Sequence, residues 1–156
     1  MAGYIAREAQ PGDAQELARA LCAADRQGVV AQTGIDPLEA VQNCVENSLI
    51  AVAVVSRPNN AVVGMFGAVV APDWEETGLI WFLGTGAFTK HLLVESRQHV
   101  RAFHHRFRLL VVVVDERHTK HIHWLEQLGF TLFARHEQFG NEQRPFLEYV
   151  RNRDNV

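Results

Sequence analysis

The chain has 156 residues, 47% of them hydrophobic and 21% charged, and a formal net charge of −3. That length and composition suit a single soluble globular domain. The charge excludes a nucleic-acid footprint, which needs a surplus of Lys and Arg on one face, and no apolar run approaches the roughly 20 residues that cross a bilayer.

Met1 to Tyr4 show no basic region followed by an apolar stretch, so no secretory signal is expected. Cys22 and Cys44 are isolated from each other, which fits a reducing, cytoplasmic setting and small core residues rather than a disulfide framework. Residues 1–150 are expected to form the domain. The tail at 151–156, with charges of both signs, is expected to fray.

Tyr4 to Glu8 is a short candidate strand. Pro11, Gly12 and Asp13 break it, and Asp13 can cap a helix that runs to about Asp25, with Leu17, Ala20, Leu21 and Ala24 at helical spacing. Asp36 followed by Pro37 opens a second helix with Leu38, Val41 and Val45 as its apolar stripe. Leu49 to Val55 and Ala61 to Val70 read as a hairpin around a turn rich in Pro and Asn. A polar loop, Pro72 to Gly78, precedes a strand over Leu79 to Leu83. Gly84, Thr85 and Gly86 then lead into a long helix ending near His105, with Phe88, Leu92, Ser96, Val100 and Phe103 on its inner face.

Arg108 to Phe130, RLLVVVVDERHTKHIHWLEQLGF, reads as one unit. Leu109 to Val114 form a short β-branched apolar run, expected as a strand buried on both faces. Thr119 opens a helix that places Ile122, Leu125 and Leu128 on one side. Gly129 stops it, because glycine readily takes the left-handed conformation at a helix C-terminus. Phe130 to His136 and Phe146 to Val150 complete the strands across a Gly140–Asn141 turn. Leu79–Leu83 and Leu109–Val114 flank a helical crossover and are expected to be parallel neighbours. The fold class is therefore α/β: a mixed, mostly antiparallel sheet with one central parallel pair and helices on both faces.

The opening IAREAQPGDAQELARAL and the later HIHWLEQLGF, in this order of elements, resemble the GNAT superfamily of N-acetyltransferases over nearly the whole chain. WFLGTGAFTKHLLVESRQHV and HTKHIHWLEQLGF further resemble small phage proteins of that superfamily, related to an internal virion protein of short-tailed phages. The resemblance implies that acetyl-CoA or CoA is the cofactor and an amine the acceptor, with the pantetheine arm between two splayed parallel strands. It implies a pyrophosphate cradle at Leu83, Gly84, Thr85, Gly86, Ala87 and Lys90. It also admits a non-catalytic reading, in which phage structural proteins are the partners and the virion is the location. A homodimer is compatible with either.

The chain departs from the family pattern at three places. Trp81 stands where the pyrophosphate signature has Arg or Gln; in the other register it is Gly84. Leu125 stands where many members carry a Tyr that protonates the departing thiolate, and His118 where Asn is common. The plainer account of Gly84 and Gly86 is a strand-to-helix turn. If the protein is an enzyme, His118 is the candidate base, since an imidazole can take a proton from an amine near neutral pH, with Asp115 as its orienting carboxylate. Glu75 and Glu76 are alternative bases, or simply solvated loop residues. Asp115, His118 and His121 carry ligand-type side chains, but their spacing matches no standard zinc pattern, and a solvent-facing helix start is expected instead. No metal is assigned.

Overall fold

The computed structural model describes residues 3–86 and 90–155. Among them the strands are β1 (Gly3–Glu8), β2 (Ile50–Arg57), β3 (Val62–Ala71), β4 (Trp74–Gly84), β5 (Leu109–Asp115), β6 (Thr131–Phe139) and β7 (Arg144–Asn152). The helices are α1 (Asp13–Ala20), α2 (Ala23–Thr33), α3 (Pro37–Asn47), α4 (Lys90–Phe103) and α5 (Thr119–Gln127). The strands form one sheet in the order β1-β2-β3-β4-β5-β7-β6, parallel only between β4 and β5. This is the expected mixed sheet with its central parallel pair.

Two apolar layers hold it. On one face, Val100 and Phe103 of α4 and Trp124 and Leu125 of α5 pack over Leu110, Val112 and Val114 of β5. On the other, Leu17 of α1 and Val41 of α3 pack over Ala53 and Met65. Asp36 caps α3 by accepting from the Leu38 amide, with Pro37 in the first turn. Gly129 ends α5 at φ 87°. Both follow the sequence signals.

Several boundaries differ from the sequence reading, each for a local reason. The helix expected from Asp13 to Asp25 is two helices. The chain straightens at Leu21 and Cys22, where the Cys22 amide donates to Gly84 O at 3.0 Å. α2 then runs to Thr33, although only Asp25 and Ala31 of it are buried, so it carries no apolar stripe to announce it. The loop expected at Pro72–Gly78 is a turn with Asp73 at φ 66°, and β4 already starts at Trp74. β5 is not buried on both faces: Leu110, Val112 and Val114 enter the core, whereas Val111 and Val113 are half-buried on the opposite face. The tail expected to fray is engaged through 154. Arg151 and Asn152 pair with β5, the Arg153 amide donates to Arg108 O, and Asp154 accepts from Arg108 at 2.7 Å.

The β6–β7 hairpin reaches back over the sheet. Its Asn141 and Glu142 amides donate to Gln32 O and Ala31 O at the end of α2. Gly140, at φ 71°, is required there, since a Cβ would lie 2.7 Å from Gln32 Cα. Gly78, inside the parallel ladder opposite Leu110, is equally constrained: a Cβ would lie 2.7 Å from the ring of the fully buried Phe107. Gly78→Ala is therefore expected to cost about 1–3 kcal/mol by overpacking, read as a lower urea midpoint with an unchanged slope.

Candidate functional site

β4 and β5 pair only at Thr77–Leu109, Gly78–Leu110 and Leu79–Val111. Beyond these rungs the strands part. A cleft of about 590 Å³ opens over the gap, walled by β4, β5, α2 and α3. That volume lies in the range of small-ligand sites. The β-period decides which side chains meet it: Val111 and Val113 of β5, and Leu79, Trp81 and Leu83 of β4, turn toward the α1–α3 side. Trp81 is half-buried, and its indole N–H donates to Ser48 Oγ at 2.7 Å, which fixes the ring.

At the wide end of the gap a buried carboxylate ties the parts together. Asp25, in the first turn of α2 and 4% exposed, accepts the Gly84 amide on Oδ2 at 2.7 Å and meets His118 Nε2 through Oδ1 at 2.6 Å. His118 is the N-cap of α5, and its Nδ1 accepts from the His121 amide at 3.4 Å. That acceptor role places the ring proton on Nε2, which donates to Asp25. Both ring nitrogens are thus engaged. Asp25 joins the end of β4, the start of α2 and the start of α5.

The sequence reading gave Asp115 the task of orienting His118; the structure gives it to Asp25, 93 residues away. Asp115 is instead held by Arg117, through Nε at 3.0 Å and Nη2 at 2.7 Å. Burial alone would raise its carboxyl. The bonds from Arg117, with the charges of Arg117 and Arg144, outweigh that and hold it below the ordinary Asp value. His118 and His121 do not face solvent as expected: each is 6% exposed. Burial pushes the His121 imidazole down to about 4, against the charge of Asp25. Glu75 and Glu76 lie exposed on β4, and neither borders the cleft.

Sequence reasoning missed Asp25 and Cys22 because neither belongs to a local motif. Cys22, Asp25 and His118 bring a thiol, a carboxylate and an imidazole within 4.8 Å of one another. By type they could hold a metal. The proton on His118 Nε2, fixed by the bond at Nδ1, points a donor at this spot rather than a lone pair. Burial first, and the charge of Asp25, raise the Cys22 thiol above its ordinary value, away from the thiolate a metal requires.

No family profile matches the chain, and no curated protein matches it. Solved structures do. A GNAT-family acetyltransferase from Bacillus anthracis superposes with TM-score 0.73 at 14% identity, over 97% of this chain and 95% of that one. Spermidine N-acetyltransferase from Vibrio cholerae, in complex with CoA and spermine, gives 0.70 at 11% identity over 97% and 96%. yncA from Salmonella typhimurium, with its cofactor acetyl-CoA, gives 0.67 at 17% over 98% and 95%. At such identities the likeness is one of fold: the chain has the GNAT acetyltransferase fold.

Neighbours of this fold are solved with CoA or acetyl-CoA, and the residues present here suit the two ends of such a molecule differently. The parted edges of β4 and β5 suit a narrow, flexible arm. The turn suits an anion less well, because the Gly84 amide already donates to Asp25 and the Thr85 amide to Val63 O at 3.0 Å. Gly86, at φ 97°, packs near Cys22. Leu83 is on the cleft wall, Lys90 is the first residue of α4, and Ala87 lies outside the described residues. Leu125, where the resemblance would place a proton donor, is in the core at 4% exposure.

His121 gives the site a pH signature. Folded, it stays neutral down to about pH 4; in the unfolded chain it protonates near 6.5. Between these values the unfolded state binds more protons, so stability falls with pH, by up to about 3 kcal/mol. Urea midpoints between neutral pH and the lower limit should show this fall, and His121→Phe should flatten it.

Proposed function

We propose that the protein is an N-acyltransferase that uses an acyl-CoA, acetyl-CoA in the first instance, and an amine acceptor in the host-cell cytoplasm. One observation carries the reading: the central parallel strands come apart over a cleft large enough for a small ligand, in a fold shared with acetyltransferases solved with CoA or acetyl-CoA.

When bound, an acyl-CoA supplies a thioester carbonyl open to attack by an amine. The chain's own contribution is mainly placement. Phe82, Val112 and Val114, on the α4–α5 side of the parted strands, border the gap that would hold the arm, which leaves the α1–α3 side of the cleft to the acceptor, and the turn at Gly86 leading to the start of α4 would face the arm's anionic end. The apolar walls would hold the reacting groups against each other. His118 acts in this reading as a positioning residue: its bonds keep Asp25 and the start of α5 fixed. α5 offers no acid at Leu125, so as the C–N bond forms and the C–S bond breaks, the proton shed by the amine nitrogen would pass through water to the departing thiolate.

A second reading is favoured by the commitment of the Gly84 and Thr85 amides and by Leu125: the fold is retained without turnover, in a phage virion or assembly protein. Calorimetry separates the two. The enzyme reading expects a heat of binding for acetyl-CoA and transfer of its acetyl group to an amine. No heat at millimolar ligand removes that reading, and absence of the protein from purified particles and assembly intermediates removes the other.

A further inference from the structure

We infer that the acceptor is a weakly basic amine, uncharged at neutral pH and carried on a flat apolar body, of the arylamine class. The inference rests on the acyltransferase reading and deepens it. It comes from the walls of the cleft.

Among the described residues that line it, only Asp25 and Asp115 carry a formal charge: Asp115 is paired with Arg117, and each oxygen of Asp25 already accepts from a donor of the protein. Among the described residues, no Lys, Arg or Glu lines the space. An ammonium entering here would leave water without meeting a spare carboxylate, which is costly for a desolvated charge. A polyamine would leave several charges unmatched. A carboxylated acceptor would meet no unpaired cation on these walls.

Among the described residues that line the cleft, none is a base able to neutralise an ammonium. Both nitrogens of His118 are engaged. His121, held at about 4 chiefly by burial, is far too weak to take a proton from an alkylammonium, whose pKa is about 10. An amine that arrives neutral avoids both difficulties, since its nitrogen lone pair is already free to attack.

The walls define the rest of the molecule. Leu79 is 37% exposed, and Ile80, Trp81, Val111 and Val113 are half-buried, so an apolar surface waits to be covered. The Trp81 indole, fixed by Ser48, offers an aromatic face for stacking. Gln32, Asn43 and Asn47 form an exposed neutral rim that can donate and accept without imposing charge.

Two isomers of one composition and similar size test this, because at neutral pH they differ in charge: 4-ethylaniline is neutral and 2-phenylethylamine is cationic. Calorimetry on the full chain, without any acyl-CoA, should find 4-ethylaniline tighter by about ten-fold or more, with spermidine weaker still. Raising NaCl from about 50 to about 500 mM should change the 4-ethylaniline affinity by less than about two-fold. Asn43→Asp, on the exposed rim where folding is not at stake, should narrow the preference by about three-fold or more by giving the cation a partner. The inference is overturned if 2-phenylethylamine or spermidine binds as tightly as 4-ethylaniline, or if none of the three binds. Silence toward acetyl-CoA in a protein that still prefers 4-ethylaniline would instead remove acyl transfer and leave the cleft's ligand class standing.

Discussion

Asp25 accepts the Gly84 amide with one carboxylate oxygen and the His118 Nε2 proton with the other, at 4% exposure. A buried carboxylate is tolerated only when its oxygens are satisfied by donors of good geometry. The bonds therefore fix three elements at once. β4 ends at Gly84, α2 starts beside it, and α5 starts at His118, so the width of the gap between β4 and β5 is set where their ladder has already stopped. The break at Leu21–Cys22 belongs to the same arrangement, since a continuous helix from Asp13 would not deliver both the Cys22 amide and the Asp25 carboxylate to Gly84.

The same bonds narrow the chemistry. A histidine at the wide end of a cleft invites the role of general base, yet this ring donates through one nitrogen and accepts through the other. The carboxylate beside it is spent on an amide and an imidazole. Asp115 is spent on Arg117. What is left for a ligand is shape, apolar surface and a fixed indole. Such a site can orient an amine, and it suits an acceptor that needs neither a counter-charge nor deprotonation by the protein.

Much of the fold was legible in local pattern. The Asp36–Pro37 cap, the Gly129 stop, the β2–β3 hairpin and the crossover between two apolar runs all rest on residues close in sequence, and all appear. α2 was not legible: Gly28 and polar residues interrupt it, and it buries only Asp25 and Ala31. The face-by-face burial of β5 was hidden too, because six apolar residues in a row read as a strand covered on both sides. At the site, the sequence reading put Asp115 at the end of a strand and His118 at the mouth of the next helix, where they lie, but paired them with each other. Their partners, Asp25 and Arg117, follow from tertiary contact in one case and from a guanidinium two residues on in the other. An aspartate inside an unremarkable polar stretch carries no local mark of burial.

The account stands or falls on the bond from Asp25 to the end of β4. Residue-resolved hydrogen–deuterium exchange at the Gly84 amide, compared between the native protein and Asp25→Ala, tests it most directly. The account predicts that in the native protein this amide exchanges only through global unfolding. In the variant it should exchange faster by orders of magnitude, while the Val111 amide in the β4–β5 ladder keeps its rate relative to global stability. A Gly84 amide that exchanges freely in the native protein, or that stays equally protected without the Asp25 carboxylate, would contradict it.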